Sequence, residues 1–169
     1  IVSSTPEFIG ANPGLIDAGP GRSLRVLGKR EDIARQILKA CSEETTSKVW
    51  LSKKAPKDIR GGGVAQPVLS EPEGLRFADM SPEQKKLMKE LIAEYLTAMP
   101  TTVVRDRMKL INKDGMDDIH FAWWGGSELN EPHHYVVQAK SFIIEYNNTQ
   151  NSANHVHAIW RNTAGDFNV

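Results

Sequence analysis

His155 and His157 stand two residues apart in the run Asn-His-Val-His-Ala-Ile-Trp-Arg. On a β-strand that spacing sends both rings to one side with backbones ~6–7 Å apart, close enough for two imidazoles to grip one ion. All five histidines fall between 120 and 157, so His120 and His133 are candidates to complete the set. Neutral imidazole suits a transition metal such as Zn or Cu, and a carboxylate such as Glu145 can be a further ligand or a general base. Arg161, four residues past His157, could orient an anionic group. Only one of His133 and His134 can share a side with His157, and the preceding Glu131-Pro132 leaves the register open. The same residue types also build hydrogen-bonded structural networks inside proteins, so two readings stand side by side.

Other patterns are weaker. Gly61-Gly62-Gly63 lacks the Lys-Ser/Thr that a phosphate-binding loop needs at the following helix start and reads as a flexible turn. Ser141, His155 and Asp166 could be assembled into a triad, but no Gly-x-Ser-x-Gly elbow accompanies them. Asn147-Asn148-Thr149 is a glycosylation triplet, at odds with a buried role for Asn147. Cys41 continues an apolar helical stripe and reads as a small buried hydrophobe.

The elements that must position these residues are legible as a change of period. From Arg30, Ile33, Ala34, Ile37, Leu38 and Cys41 recur on one helical face. Ser42 caps a short second helix expected to carry Val49 and Trp50, and the breakers of 56–80, Pro67 among them, mark a connecting loop. Ser81-Pro82-Glu83-Gln84 is a capping box with proline at the first helical position, Pro100 stops that helix, and Thr101 caps another that ends near Gly115. After Gly115 the period becomes two, with strands expected at about 118–124, 133–139, 142–148 and 154–161. One face of their antiparallel meander is apolar; the other collects His120, Glu145, Asn147, His155 and His157.

Composition bounds the function. Twenty-one Lys and Arg balance 21 Asp and Glu, so the surplus cation that nucleic-acid backbones demand is absent. No stretch approaches the ~20 apolar residues of a membrane span. A single cysteine cannot make an internal disulfide. The chain opens without Met on β-branched Ile1 and Val2, as if in mid-strand, which suggests a preceding piece.

The run FIIEYNNTQNSANHVHAIWRN, preceded by HFAWWGGSELNEPHHY, resembles the domain of unknown function 3500 family, and STPEFIGANPG, EDIARQIL and APKDI extend the likeness over nearly the whole chain. The resemblance implies site-like roles for His120, His133, Glu145, Asn147, Gln150, Asn154, His155, His157, Trp160 and Arg161. It favours His133 over His134, which stands where family members carry Tyr. It also implies that this is the C-terminal half of a longer, secreted precursor, extracellular or periplasmic.

The expectation is therefore an α+β domain over 1–169, with a loop-rich opening (1–29), a helical part (30–111) packed on one sheet face, and an antiparallel sheet of about four or more strands (116–162). Its expected function is that of a metal-dependent enzyme, a hydrolase or oxidoreductase, with His155, His157 and His133 or His120 on the metal. The alternative is a non-catalytic binding or assembly module in which the cluster is structural. Expected partners are the missing N-terminal half, a second chain or another copy of itself.

Overall fold

Capping chemistry sets the helices. Ser81 accepts from the Gln84 amide while Gln84 Oε1 takes the Ser81 N–H, starting α3 (Pro82–Leu96) as the sequence dictates. Ser42 and Thr45 form a second reciprocal box at the head of α2 (Glu43–Val49). The computed structural model describes residues 3–66 and 68–169; the strand start expected at Ile1 and Val2, and the breaker Pro67, lie outside the described residues. The other helices are α1 (Gly28–Lys39) and α4 (Thr101–Asp114), the latter ended by Gly115 at φ 85°. Trp50 does not extend α2: it opens a short strand instead, its indole N–H held by the Gly125 carbonyl.

The strands are β1 (Glu7–Ala11), β2 (Leu15–Asp17), β3 (Ser23–Arg25), β4 (Trp50–Ser52), β5 (Leu75–Arg76), β6 (His120–Gly125), β7 (His133–Gln138), β8 (Phe142–Gln150) and β9 (His155–Asn162). The expected four-stranded meander β6 to β9 is present and antiparallel throughout. Three additions enlarge it. β1 pairs antiparallel with β9, β4 runs parallel to β6, and β5 pairs with the start of β6, giving a sheet ordered β1-β9-β8-β7-β6-β4. β2 and β3 form a separate hairpin. Gly74 permits the β5 contact: its φ is +98°, and a Cβ there would stand 2.1 Å from the Phe121 carbonyl oxygen.

Register sorts the side chains. Phe121, Val137, Ile144 and Trp160 lie in one row, with Trp123, Tyr135, Tyr146 and Ala158 in the next, and both rows face the helices. Ile33 and Ile37 of α1, Leu91 and Tyr95 of α3 and Ile111 of α4 join them in the core. Each fully buried large apolar side chain contributes about 1.5–3 kcal/mol, so these rows are the main stabilising surface. Buried polar contacts fix the layer: the Tyr95 and Tyr135 hydroxyls share a 2.8 Å hydrogen bond, and Arg107 of α4 lies over Trp160 while pairing with Glu7 of β1. The fold class is α+β, as the change of period predicts.

The opposite sheet face is covered by the breaker-rich loop. Residues 56–66 and 68–70 form a strap whose main-chain carbonyls are met by side chains rising from the strands. Asn147 Nδ2 donates to Pro56 O, Thr149 Oγ1 to Lys57 O, and Gln138 Nε2 to Ser70 O. Arg161 donates to the Gly61, Val64 and Ala65 carbonyls and to the Asp166 carboxylate. A loop without regular structure needs such donors, because buried carbonyls left unpaired are costly. Cys41 is partly buried against the core, with burial raising its thiol pKa, in keeping with a passive role.

Candidate functional site

The two histidines two apart in β9 do converge. His155 Nε2 lies 3.1 Å from His157 Nε2, with the rings near perpendicular. The other nitrogen of His157, Nδ1, lies 2.8 Å from Asp58 Oδ1 on the strap, and Gln150 Nε2 donates to Asp58 Oδ2. The result is a row, Gln150–Asp58–His157–His155, spanning strap and sheet. Burial pulls the Asp58 carboxyl upward, but the hydrogen bonds from His157 and from the Ile59 N–H outweigh it and hold the group below its ordinary range. Nδ1 of His155 makes no hydrogen bond to the described residues, leaving one end of the row open.

Beside the row lies a cleft of about 790 Å³ between the strap and β1 and β9. Phe8, Ile59, Ile159 and Phe167 give it apolar walls, Gly61 to Gly63 a bare rim, and Asp58 and His157 its polar side. Phe8 tilts against the His157 ring at 5.2 Å, and Gly10, opposite His157 across the β1–β9 pair, leaves that ring uncrowded. Such a mainly apolar concavity with a few polar groups is the usual form of a small-molecule site.

The remaining expected site residues are elsewhere. His120 sits at the start of β6, bonded to the Asp118 carbonyl, three strand spacings or roughly 14 Å across the sheet from β9. His133 faces the helices, because its parity in β7 opposes that of His157; it cannot join the row. Its neighbour His134 takes the strap side, between Trp124 and Asn147, with Nε2 3.3 Å from Glu145 Oε2. Glu145 is buried under the strap and accepts the Arg60 N–H, so it anchors the loop and is not beside His155. Arg161 borders the cleft, but Nε, Nη1 and Nη2 donate to Asp166 and the strap carbonyls, so in this structure it anchors the strap. Among the described residues no group of three or more His, Cys, Asp or Glu is placed to hold a metal ion. Asn147, buried and bonded to Pro56 and His134, does not present its amide for glycosylation. Ser141, His155 and Asp166 are not brought into hydrogen bonding: Ser141 N–H goes to Asp114 and Asp166 to Arg161.

On the helix side His133 is part of a second polar group. Its ring stacks on Trp123 at 4.9 Å and on Tyr146 at 5.7 Å, its Nδ1 bonds the Glu131 carbonyl, and its Nε2 lies 3.6 Å from Glu31. Glu31 is held by Arg25 and Arg35. Burial lowers the His133 pKa more than Glu31 and the Glu131 carbonyl raise it. A histidine whose folded pKa lies below its unfolded value of about 6.5 leaves stability intact above that pH and loses it as pH falls toward the folded value, because the unfolded chain takes the proton first. The urea midpoint should therefore drop between about pH 7.5 and pH 5.5, and His133→Gln should flatten that slope; parallel slopes in the two proteins would remove His133 as the cause.

Sequence reasoning missed Asp58, which lies in a breaker-rich loop where periodicity is silent, and Glu31, whose helical position gave no sign that a histidine from another layer would meet it. No curated protein and no solved structure matches this chain. The chain does match, over residues 1–169 and so along its whole length, the family described as Protein of unknown function (DUF3500), which supports the resemblance without the narrower reading of a C-terminal half. The sequence runs quoted above and this full-length match together make the chain a member of that family.

Proposed function

We propose that the chain is an enzyme that carries out acid–base chemistry on a ligand seated in the cleft, using the row Asp58–His157–His155. The observation that carries this is the unbroken contact from Asp58 Oδ1 through both ring nitrogens of His157 to His155 Nε2, at 2.8 and 3.1 Å. With Asp58 ionised, His157 carries its proton on Nδ1 and His155 carries one on Nε2. His157 is the histidine that lines the cleft; a proton accepted from water at the open Nδ1 of His155 lets its Nε2 proton pass to His157 Nε2, so the row relays protons to the ring beside the ligand, and Asp58 stabilises the imidazolium that forms. Glu145, Asn147, Gln138 and Arg161 serve as the scaffold that holds the strap over the sheet.

A metal-dependent form of this reading rests on one specific distance. Two nitrogen ligands at ~2.0–2.1 Å on a tetrahedral ion stand about 3.3 Å apart, close to the 3.1 Å between the two Nε2 atoms. Asp58 behind His157 is the carboxylate that commonly orients a metal-bound imidazole. Zn or Cu suits these donors and would supply Lewis acidity. In either form, the family resemblance favours an extracytoplasmic setting.

The test is turnover of a panel of carboxylic and phosphoric esters by the wild type, Asp58→Asn, His155→Ala and His157→Ala, with and without chelation, alongside elemental analysis. Acid–base catalysis by the row predicts losses of about 10²–10⁴-fold in each histidine variant that chelation of the wild type does not reproduce. Stoichiometric Zn or Cu lost together with turnover supports the metal form. A metal-free protein without row-dependent turnover, in which NMR shows the two histidines titrating independently of Asp58, overturns both and leaves a binding or assembly module.

A further inference from the structure

Asp58 borders two cavities. Besides the apolar cleft, it lines a groove of about 710 Å³ between the first turn of the strap and the turn that joins β6 to β7. Lys53, Lys54 and Lys57 line it, against a floor that includes Gly126 and Pro132. Lysine ion pairs occur at Lys29, Lys39, Lys48, Lys86 and Lys109, but none of the three groove lysines has one among the described residues. Lys53 Nζ rests 2.9 Å from the centre of the Trp50 ring, so it is held near the groove by a contact that leaves its charge uncompensated.

Two carboxylates also border the groove, and both are engaged. Asp58 takes hydrogen bonds from His157, Gln150 and the Ile59 N–H. Glu131 accepts the Glu128 N–H and folds over Gly126, where a Cβ would collide with its Oε2. Three cations within five residues outnumber the two carboxylates, so the lining is net positive in a concave wall of lower dielectric than water, and the three ammonium groups are the free partners for an anion.

We infer that this groove is the anion-binding subsite of the cleft: Lys53, Lys54 and Lys57 take the carboxylate or phosphate of an amphipathic organic acid whose apolar body lies against Phe8, Ile59, Ile159 and Phe167. The inference rests on the acid–base reading for its functional meaning, since it places the ligand astride Asp58 and beside His157. It adds the substrate class, a molecule with one apolar end and one anionic end.

Calorimetric titration with octanoate, octyl phosphate, inorganic phosphate and octanol tests this. Octanoate and octyl phosphate are expected to bind more tightly than octanol and inorganic phosphate, with affinity falling as salt rises. The variant Lys53→Gln/Lys54→Gln/Lys57→Gln should lose on the order of 10-fold or more for the two amphipathic acids and bind octanol unchanged. The corresponding triple Lys→Arg variant should bind them as the wild type does, which separates lost charge from lost fold. A preference for octanoate over octyl phosphate, or the reverse, identifies which acid the groove fits. Equal affinity for octanoate and octanol, or undiminished octanoate binding by the Gln variant, overturns the subsite. His155→Ala is expected to bind octanoate normally, so failure of the row shows as lost or absent turnover with binding intact.

Discussion

Arg161→Met is expected to destabilise the protein by about 3–5 kcal/mol, the cost of leaving a buried charge without its partner. Arg161 is 3% exposed, and its guanidinium pairs with Asp166, which is wholly buried. It also donates to the carbonyls of Gly61, Val64 and Ala65, each of which would be orphaned or rehydrated. The effect should have two signatures: a lower urea midpoint, and faster proteolytic cutting within 60–66 under conditions where the sheet remains folded. Arg161→Lys should recover part of the loss, since one ammonium keeps the charge near Asp166 without the planar fork that reaches three carbonyls. If Arg161→Met unfolds within ~0.5 kcal/mol of the wild type and the strap stays protected, the proposed anchor is not one.

The second large effect belongs to Glu31. Its carboxylate is buried, bonded to Arg25 and Arg35, and held below its ordinary pKa because the nearby His133 and both guanidiniums outweigh a burial effect that acts upward. Glu31→Ala should cost about 3–5 kcal/mol by stranding the Arg35 charge against Trp123. Glu31→Leu/Arg35→Met removes both charges together, and the carbonyls that Arg35 now serves belong to half-buried Ser127 and exposed Glu128, at the edge of the core. The double variant should therefore be more stable than Glu31→Ala. Urea unfolding of the three proteins decides; a double variant less stable than the single one would mean that the pair does not act through mutual charge compensation.

How far these features could be read in the sequence depends on the physics behind each. The four-stranded meander and the capping box at Ser81 are local patterns, and both appear close to where the residues put them. The convergence of His155 and His157 is likewise local, a consequence of strand parity alone. Choosing between His133 and His134 needed register, which Pro132 obscured, and the result is that each faces a different layer. Glu145 and Arg161 carry the right chemistry for a site, yet their partners are main-chain atoms of the strap. Residue types do not disclose that kind of pairing, because a loop's carbonyls look alike in any sequence. β1 escaped notice for a similar reason: its neighbour is β9, and nothing within Glu7–Ala11 names a partner some 150 positions away.

That pairing has a consequence for how the molecule comes into being. A ribosome delivers β1 and the strap early, but Glu7 must wait for Trp160, and Gly61 for Arg161. Long-range closures of this kind are slow relative to helix formation, since the intervening chain must be ordered before the contacts return any stabilisation. The helices can form during synthesis, whereas the cleft cannot exist until β9 has emerged. Binding in the proposed cleft would thus report completion of the whole sheet, and a nascent chain halted before His155 would have helices but no cleft.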